Sequence, residues 1–180
     1  MCERDQLAFW TKLLNLVDFQ VVHEELTASD EPRHFTLIPK TPVGLCPHCG
    51  EVCEAIHRRT ESDRVHDLPI GERAVELTVR IYQYWCVTCD RAFTPPTPFL
   101  APGGHATERF LEQARKLIDF GDIANAAAFL KVSESSLGRW YYDYLERRQQ
   151  SPVSPAVKPI RQLGIDELSL KKSTGSSSPC

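Results

Sequence analysis

Apolar residues recur at helical spacing in two parts of the chain. The first set lies near the N-terminus and predicts a helix there; its members are Leu7, Phe9, Trp10, Leu13, Leu14, Leu16 and Val17. After residue 104 the spacing predicts three more helices. One covers residues 110–118 and is closed by Gly121, an alanine-rich one covers 123–130, and the last covers 133–148. Its predicted inner face holds Leu137, Trp140, Tyr141 and Leu145.

Strand patterns occupy the region between these helices. Residues 19–24 and 34–38 are rich in β-forming side chains and are separated by a polar stretch. Further along, Val75, Leu77, Val79 and Ile81 alternate with polar residues, which predicts a half-buried strand. The run at 67–71 contains Pro and Gly and predicts a turn before that strand. Residues 94–104 are also rich in Pro and Gly, so we expect a connector there.

Composition excludes several broad classes of protein. The chain has 180 residues, 42% of them hydrophobic, which rules out wholesale disorder. It has no apolar run long enough to span a membrane, and its first residues do not resemble a signal peptide. We therefore expect a cytoplasmic protein without membrane contact. The net charge of −3 argues against coating nucleic acid by bulk charge, but the segments 131–150 and 151–180 carry +1 and +2.

Four of the seven cysteines form two CxxC pairs, Cys46 with Cys49 and Cys86 with Cys89. A tight turn between two such thiolates lets both bind one ion, so two pairs predict a closed tetrahedral site. The long insert between the pairs contains strand patterns, which favours a zinc ribbon with a structural Zn²⁺. We expect His48 to face solvent and Cys53 to act as a small hydrophobic residue; Cys2 and Cys180 have no assigned role.

Two other roles for the cysteines remain open at this level. A rubredoxin-like iron site uses the same four ligands, and spacing alone does not separate zinc from iron. Thioredoxin-like chemistry would need one CxxC at the start of a helix in a βαβ unit, and that context is missing.

The last two predicted helices and the turn between them have the pattern of a helix-turn-helix motif. Ala126 and Ala127 allow close approach, Val132 fills the turn, and Ser133 is a natural N-cap. The start of such a helix faces base edges or phosphates when it lies in a major groove, and Arg139 is the strongest single candidate. The predicted DNA-binding set is Lys131, Ser133, Ser135, Ser136, Arg139, Arg147 and Arg148. The alternative is a plain three-helix bundle whose charges are only a solvated face.

Taken in order, these parts resemble the N-terminal half of a bacterial insertion-sequence transposase. The resemblance rests on CPHCG at 46–50, HRR at 57–59, HDLPIGERAVELTVR at 66–80, YWCVTCDRAFT at 84–94, the helix pair at 122–140 and RQLGIDELSLKK at 161–172. The family is the zinc-ribbon DDE transposases of the ISL-three group, the IS204/IS1001/IS1096/IS1165 type. It implies that ribbon and helix-turn-helix recognise the double-stranded terminal inverted repeats of the element.

The resemblance also implies an RNase-H-like catalytic domain that cuts and joins DNA with two divalent metals. Such metals stabilise the attacking and leaving oxygens of a displacement at phosphorus. The family's first catalytic carboxylate falls on Asp166, and an intact member would use Mg²⁺ or Mn²⁺. After Lys172 the pattern stops and a Ser-rich stretch follows. We therefore expect a truncated transposase that does not cut DNA by itself.

These features predict an α+β chain built of several modules. They are an α+β lead-in (1–40), a zinc ribbon (41–98), a helix-turn-helix domain (99–150), a Pro-rich linker (151–160), the first strand of an incomplete RNase-H-like domain (161–172) and a disordered tail (173–180). Beyond DNA, the expected partner is a second copy or an intact transposase, at the bacterial nucleoid. The alternative function is a stand-alone zinc-ribbon and helix-turn-helix transcription regulator.

Overall fold

The computed structural model describes residues 3–25, 27–29 and 31–150. The predicted linker, the predicted strand at 161–172 with Asp166 and the predicted tail lie outside these residues. The helices are α1 (Glu3–Leu14), α2 (Glu108–Phe120), α3 (Ile123–Leu130) and α4 (Glu134–Gln150). The strands are β1 (Phe19–Glu25), β2 (Arg33–Pro39), β3 (Gly44–Leu45), β4 (Val52–Cys53), β5 (Ile56–Ile70), β6 (Arg73–Cys86) and β7 (Arg91–Phe93).

One sheet with the order β1-β2-β6-β5 forms the centre of the described chain. Strand β2 pairs with β6 in parallel, while β1 with β2 and β5 with β6 are antiparallel. β7 adds to the far end of β6, and β3 pairs with β4 in a separate small hairpin. Strand β6 therefore links the N-terminal strands at its start to the cysteine region at its end.

The strand predicted over residues 75–81 is confirmed, but the turn predicted over 67–71 is wrong for most of its length. Residues 67–70 continue β5, and the chain reverses only at Gly71, whose φ of +64° suits glycine, and Glu72. Asp67 pairs with Val75 and its side chain is buried, which holds this part in the sheet. Pro69 is tolerated because it falls in an irregular stretch of an edge strand.

The N-terminal helix covers one face of this sheet. Trp10 and Leu14 are buried against Phe35, Leu37 and the apolar side chains of β6. Helix α1 ends at Leu14, where Asn15 takes a positive φ, so the predicted apolar set does not form a single face. Phe9, Leu13 and Val17 are exposed. The helical period therefore predicted the element, but the apolar set runs past the end of the helix at Leu14 and includes exposed residues.

The three C-terminal helices pack around their own apolar cluster. Thr107 caps α2 through its side chain, Gly121 ends it, and α3 has the predicted bounds. Leu137 and Trp140 are buried as predicted, whereas Tyr141 and Leu145 are only half-buried. Tyr144 also packs against this cluster, a contact that the sequence did not predict. Among the residues that the structure describes, no helix is long and apolar enough to cross a bilayer.

A buried ion pair joins the helices to the sheet. Asp67 on β5 is 1% exposed and accepts hydrogen bonds from Thr107 Oγ1 (2.8 Å) and Arg109 Nε (2.7 Å). Arg109 Nη2 makes a second contact to the same carboxylate, and Nη1 donates to the Leu14 carbonyl oxygen at 2.6 Å. One side chain of α2 thus contacts both β5 and the end of α1. It fixes the orientation of the three-helix unit relative to the sheet.

Candidate functional site

The four predicted cysteine ligands converge at the far end of β6. Cys46 and Cys49 follow β3, while Cys86 ends β6 and Cys89 precedes β7. Their four Sγ atoms lie within 4.8 Å of one another. The Sγ atoms of Cys46 and Cys89 are 3.8 Å apart, and those of Cys49 and Cys86 are 3.6 Å apart. The fold therefore brings together two pairs that stand far apart in the sequence.

The donor set and its spacing fit a tetrahedral zinc ion. Sulfur atoms at about 2.3 Å from Zn²⁺ in tetrahedral geometry lie about 3.8 Å from one another. Both measured sulfur pairs are close to that separation. Four thiolates also complete the coordination shell, so no position remains for a water or a substrate. The site fits a structural zinc.

Local backbone geometry explains why each CxxC turns tightly. The Gly50 N–H donates to the Cys46 carbonyl at 2.9 Å, and Gly50 has a φ of +75°. Asp90 follows the second pair with a φ of +51°. A residue with positive φ directly after the last cysteine lets the chain leave the turn without moving the sulfur away. Each CxxC pair is therefore followed directly by a residue in the left-handed conformation.

The surroundings set the thiol of Cys46 apart from that of Cys53, whereas the pKa of Cys49 is raised and hydrogen bonding with neighbouring thiols and burial raise the pKa of Cys89 to about 12. Burial raises the pKa of Cys46, but hydrogen bonds from the backbone N–H groups of Cys49 and His48 outweigh it and lower that pKa to about 7. Burial raises the pKa of Cys53 to about 11, which keeps this thiol protonated. Cys53 packs with Tyr84 and Phe93 in the small cluster beneath the site, while His48 is exposed. Both residues have the predicted environment.

Four of the predicted DNA-binding residues, Lys131, Ser133, Ser135 and Ser136, lie at the α3–α4 turn. Lys131 caps α3 in the left-handed conformation with a φ of +59°. Ser133 Oγ accepts the Ser136 N–H at 3.2 Å, which makes it the N-cap of α4, as expected. Its hydroxyl also lies 2.8 Å from Ser136 Oγ and 3.3 Å from Ser135 Oγ. The structure thus groups the three serines on one exposed turn.

The three arginines of this set differ in what they contact. Arg139 is exposed and has no hydrogen bond or ion pair with any residue that the structure describes. Arg147 donates to the carbonyl oxygens of Asp143 (3.0 Å) and Pro102 (3.1 Å), so it also ties α4 to the loop before α2. The side chain of Arg148 lies outside the described part. Asp166, the predicted catalytic carboxylate, does so as well.

Sequence reasoning missed the residues that hold the two units together. Asp67, Thr107 and Arg109 are separated by up to 42 positions. Asp67 falls in the run that the sequence predicts to be a turn, and no spacing rule connects it with Thr107 or Arg109. A closed four-thiolate site held by hairpins defines a zinc-ribbon protein, and the helical unit is fixed to the neighbouring sheet through these residues.

Comparison with known proteins identifies the type of ribbon. Residues 42–89 match the family described as the zinc-finger of transposase IS204/IS1001/IS1096/IS1165. The transposase for insertion sequence element IS1001 of Bordetella parapertussis is 30% identical over 138 residues, which cover 76% of this chain and 32% of the relative. The chain thus spans about a third of that relative's length. No solved structure matches the chain significantly. The chain is related to the ISL3-group transposases and contains their zinc ribbon.

Proposed function

We propose that this chain binds the terminal inverted repeats of an insertion sequence as the DNA-recognition part of a transposase. Its relation to the IS1001 transposase and its zinc ribbon support a role in transposition. The proposal places the protein at the nucleoid of a bacterial cell. Its partners are double-stranded DNA and a second copy or an intact transposase, since pairing two element ends needs more than one recognition unit.

The observation that carries this proposal is the exposed start of α4. Helices α3 and α4 act as a helix-turn-helix, with Ala126, Ala127 and Leu130 buried beneath α4. The capped N-terminus of α4 presents Ser135, Ser136 and Arg139, and its free backbone N–H groups favour a phosphate nearby. Since Arg139 has no partner among the described residues, its guanidinium is available for a guanine edge or a phosphate. In this proposal Lys131 contacts the phosphate backbone of the DNA, which positions α4 without specifying a sequence.

The two ions of the family have separate roles in the proposal. Zinc bound by Cys46, Cys49, Cys86 and Cys89 stabilises the ribbon and takes no part in the chemistry. In an intact member of the family, strand cleavage uses a catalytic domain with Mg²⁺ or Mn²⁺, and Asp166 corresponds in position to its first carboxylate. The described part of the chain contributes recognition, and the whole enzyme adds the cutting and joining steps.

The test is the replacement of Arg139 by Ala. If Arg139 contacts a base, specific binding weakens by about 1–3 kcal/mol and discrimination at that base pair relaxes. Fluorescence anisotropy with a duplex carrying the element's end, alongside a scrambled duplex at fixed salt, measures both effects. Arg80→Ala is the matched control, because Arg80 is already paired with Glu61 on the sheet. Equal affinity and equal discrimination for the Arg139 variant and the wild type would refute the proposal for α4.

The choice of DNA separates this function from transcription regulation. A transposase part prefers the inverted repeats at the ends of its element. A regulator prefers a site in a promoter and ignores the repeats. Selection of bound sequences from a random duplex pool therefore distinguishes the two functions.

A further inference from the structure

The metal end of the ribbon exposes apolar side chains that its own fold does not cover. Leu45 is 66% exposed, Val52 is 58% exposed and Val87 is 82% exposed. Leu45 and Val52 are direct cross-strand partners in the β3–β4 hairpin, and Val87 lies between the ligands Cys86 and Cys89. We name these three residues the tip surface. Exposed apolar side chains gathered at one end of a small domain are typical of an interaction site, whereas single scattered ones are ordinary.

A cleft adjoins the tip surface and is continuous with it. It has a volume of about 540 Å³, and both Val43 and Leu45 contribute to its wall. The rest of the wall is mostly apolar and aromatic, and it includes Phe19, Tyr82 and Pro96. Asp18 is the one charged residue among the described residues that line it. A concave apolar site beside an apolar surface can accept an anchoring side chain from a partner.

The charge around the tip surface disfavours a phosphate-rich partner. Glu51, Glu54 and Asp90 are exposed next to it, and Arg91 is the single cation within residues 43–54 and 86–91. Zinc with four thiolates adds two negative charges at this end of the ribbon when it is bound. Beside the cleft, the Arg59 guanidinium lies 5.9 Å from the Tyr82 ring centre. The tip itself is therefore acidic, unlike the start of α4.

We propose that the tip surface and its cleft bind a basic protein segment in which apolar residues alternate with Lys or Arg. The apolar residues would enter the cleft and cover Leu45, Val52 and Val87, and the cations would face the three exposed carboxylates. Charge complementarity selects this partner over DNA, and like charges disfavour tip-to-tip contact between two copies. This role goes beyond DNA recognition. It gives the ribbon a second binding surface, whose acidic and apolar character differs from that of the start of α4.

The experiment uses the zinc-loaded full chain and three defined probes. They are a short synthetic peptide of alternating Lys and Leu, the matching peptide of Glu and Leu, and the duplex used for the Arg139 test. Two-dimensional NMR maps which backbone amides each probe perturbs. The Lys-Leu peptide should shift the amides of Leu45, Val52 and Val87, while the Glu-Leu peptide and the duplex should leave them unchanged.

Variants locate the binding surface. The double replacement Leu45→Ser with Val87→Ser should weaken Lys-Leu binding by about tenfold or more, since both residues are contact residues. Replacing Glu51 and Glu54 by Gln should weaken it by about threefold and reduce its salt dependence. Phe120→Ser is the matched control, because Phe120 is 94% exposed on α2, away from the ribbon. Its affinity should equal that of the wild type.

Three results would overturn the proposal. They are perturbation of the tip amides by the duplex, equal Lys-Leu affinity in the Leu45/Val87 variant, and self-association that disappears in that variant. The last result would assign the surface to a second copy of the chain. Failure of DNA binding leaves the peptide measurements intact, so the two proposals stand or fall separately.

Discussion

At the scale of single residues, Gly44 shows how closely the ribbon is packed. A Cβ built at Gly44 would lie 2.7 Å from Tyr84 Cδ2 and 3.0 Å from both Phe93 Cε2 and Pro95 Cγ. All three neighbours are ring atoms, and Tyr84 and Phe93 are buried in the cluster beneath the metal site. Gly44 therefore serves close packing at the base of the β3–β4 hairpin.

Replacing Gly44 by Ala should destabilise the protein by about 1–3 kcal/mol, because the rings must move apart to admit the methyl group. Urea unfolding followed by circular dichroism measures the change. Gly138→Ala is the matched control: its Cβ would meet nothing closer than 3.9 Å, and alanine favours the helix. We expect that control to be neutral or slightly stabilising, and an equal loss in both variants would contradict the packing explanation.

At the scale of elements, the ribbon depends on its metal while the neighbouring sheet does not. The cluster under the site has few buried members, namely Cys46, Cys53, Tyr84, Cys86 and Phe93. The cluster between α1 and the sheet has eleven, from Trp10 to Val79. Metal binding therefore provides much of the folding free energy of the ribbon, whereas hydrophobic burial provides that of the sheet.

Removal of the metal by a chelator should unfold residues 42–56 and 84–93 and leave the α1–sheet core folded. Amide chemical shifts would report this difference, and metal analysis should find about one zinc per chain before treatment. Cys46→Ser should abolish zinc binding. Cys53→Ala should retain it, because Cys53 is not one of the four converging thiols. Ribbon signals that survive full chelation would argue against a structural metal.

At the scale of the whole molecule, the Asp67–Arg109 pair fixes the helical unit to the sheet. The Asp67 side chain is fully buried, while that of Arg109 is 36% exposed. Breaking a buried pair from one side leaves an uncompensated charge, which costs more than the loss of a surface pair. The same contact decides how α4 is presented relative to the ribbon.

Arg109→Ala should therefore destabilise the protein by about 3 kcal/mol. This is near the lower limit of the destabilisation expected when a buried ion pair is broken, because Arg109 is partly solvated. Arg80→Ala removes the exposed pair with Glu61 and should cost under about 1 kcal/mol. Chemical denaturation compares the two variants. Adding Asp67→Asn to Arg109→Ala should recover part of the loss, since no buried charge then remains unpaired. No recovery would mean that the lost packing of Arg109 dominates.

A half-buried histidine at the same junction predicts a pH dependence. Burial lowers the pKa of His66, with Glu76 opposing the shift and His105 adding to it. Its ring lies 5.2 Å from that of Trp140. The unfolded chain then binds a proton near pH 6.5 more readily than the folded one, so stability falls as the pH drops below about 6.5. His66→Gln should lose this part of the slope between pH 5 and 8, as measured by urea midpoints. An unchanged slope would contradict the assignment.

Local patterns predicted much of the fold because the signals that set these elements are short-range. The spacing of apolar residues, the cap at Ser133 and the stop at Gly121 were enough to predict the helices. The parallel pairing of β2 with β6 was not predictable in this way. Its partners lie about forty positions apart, as with Arg33 and Val75. Such pairing depends on long-range burial and carries no turn signal.

The sequence by itself determined the ligand set of the metal site, the helical unit and the relation to ISL3-group transposases, because each rests on residue types at fixed spacing. Only the tertiary structure decided which side chains are free. It showed that Arg139 has no partner among the described residues, whereas Arg147 donates a hydrogen bond to the Pro102 carbonyl oxygen. It also showed that exposed apolar residues at the ribbon tip lie beside a cleft and are flanked by carboxylates. The reason is physical: exposure and pairing depend on neighbours distant in sequence, and spacing along the chain does not encode them.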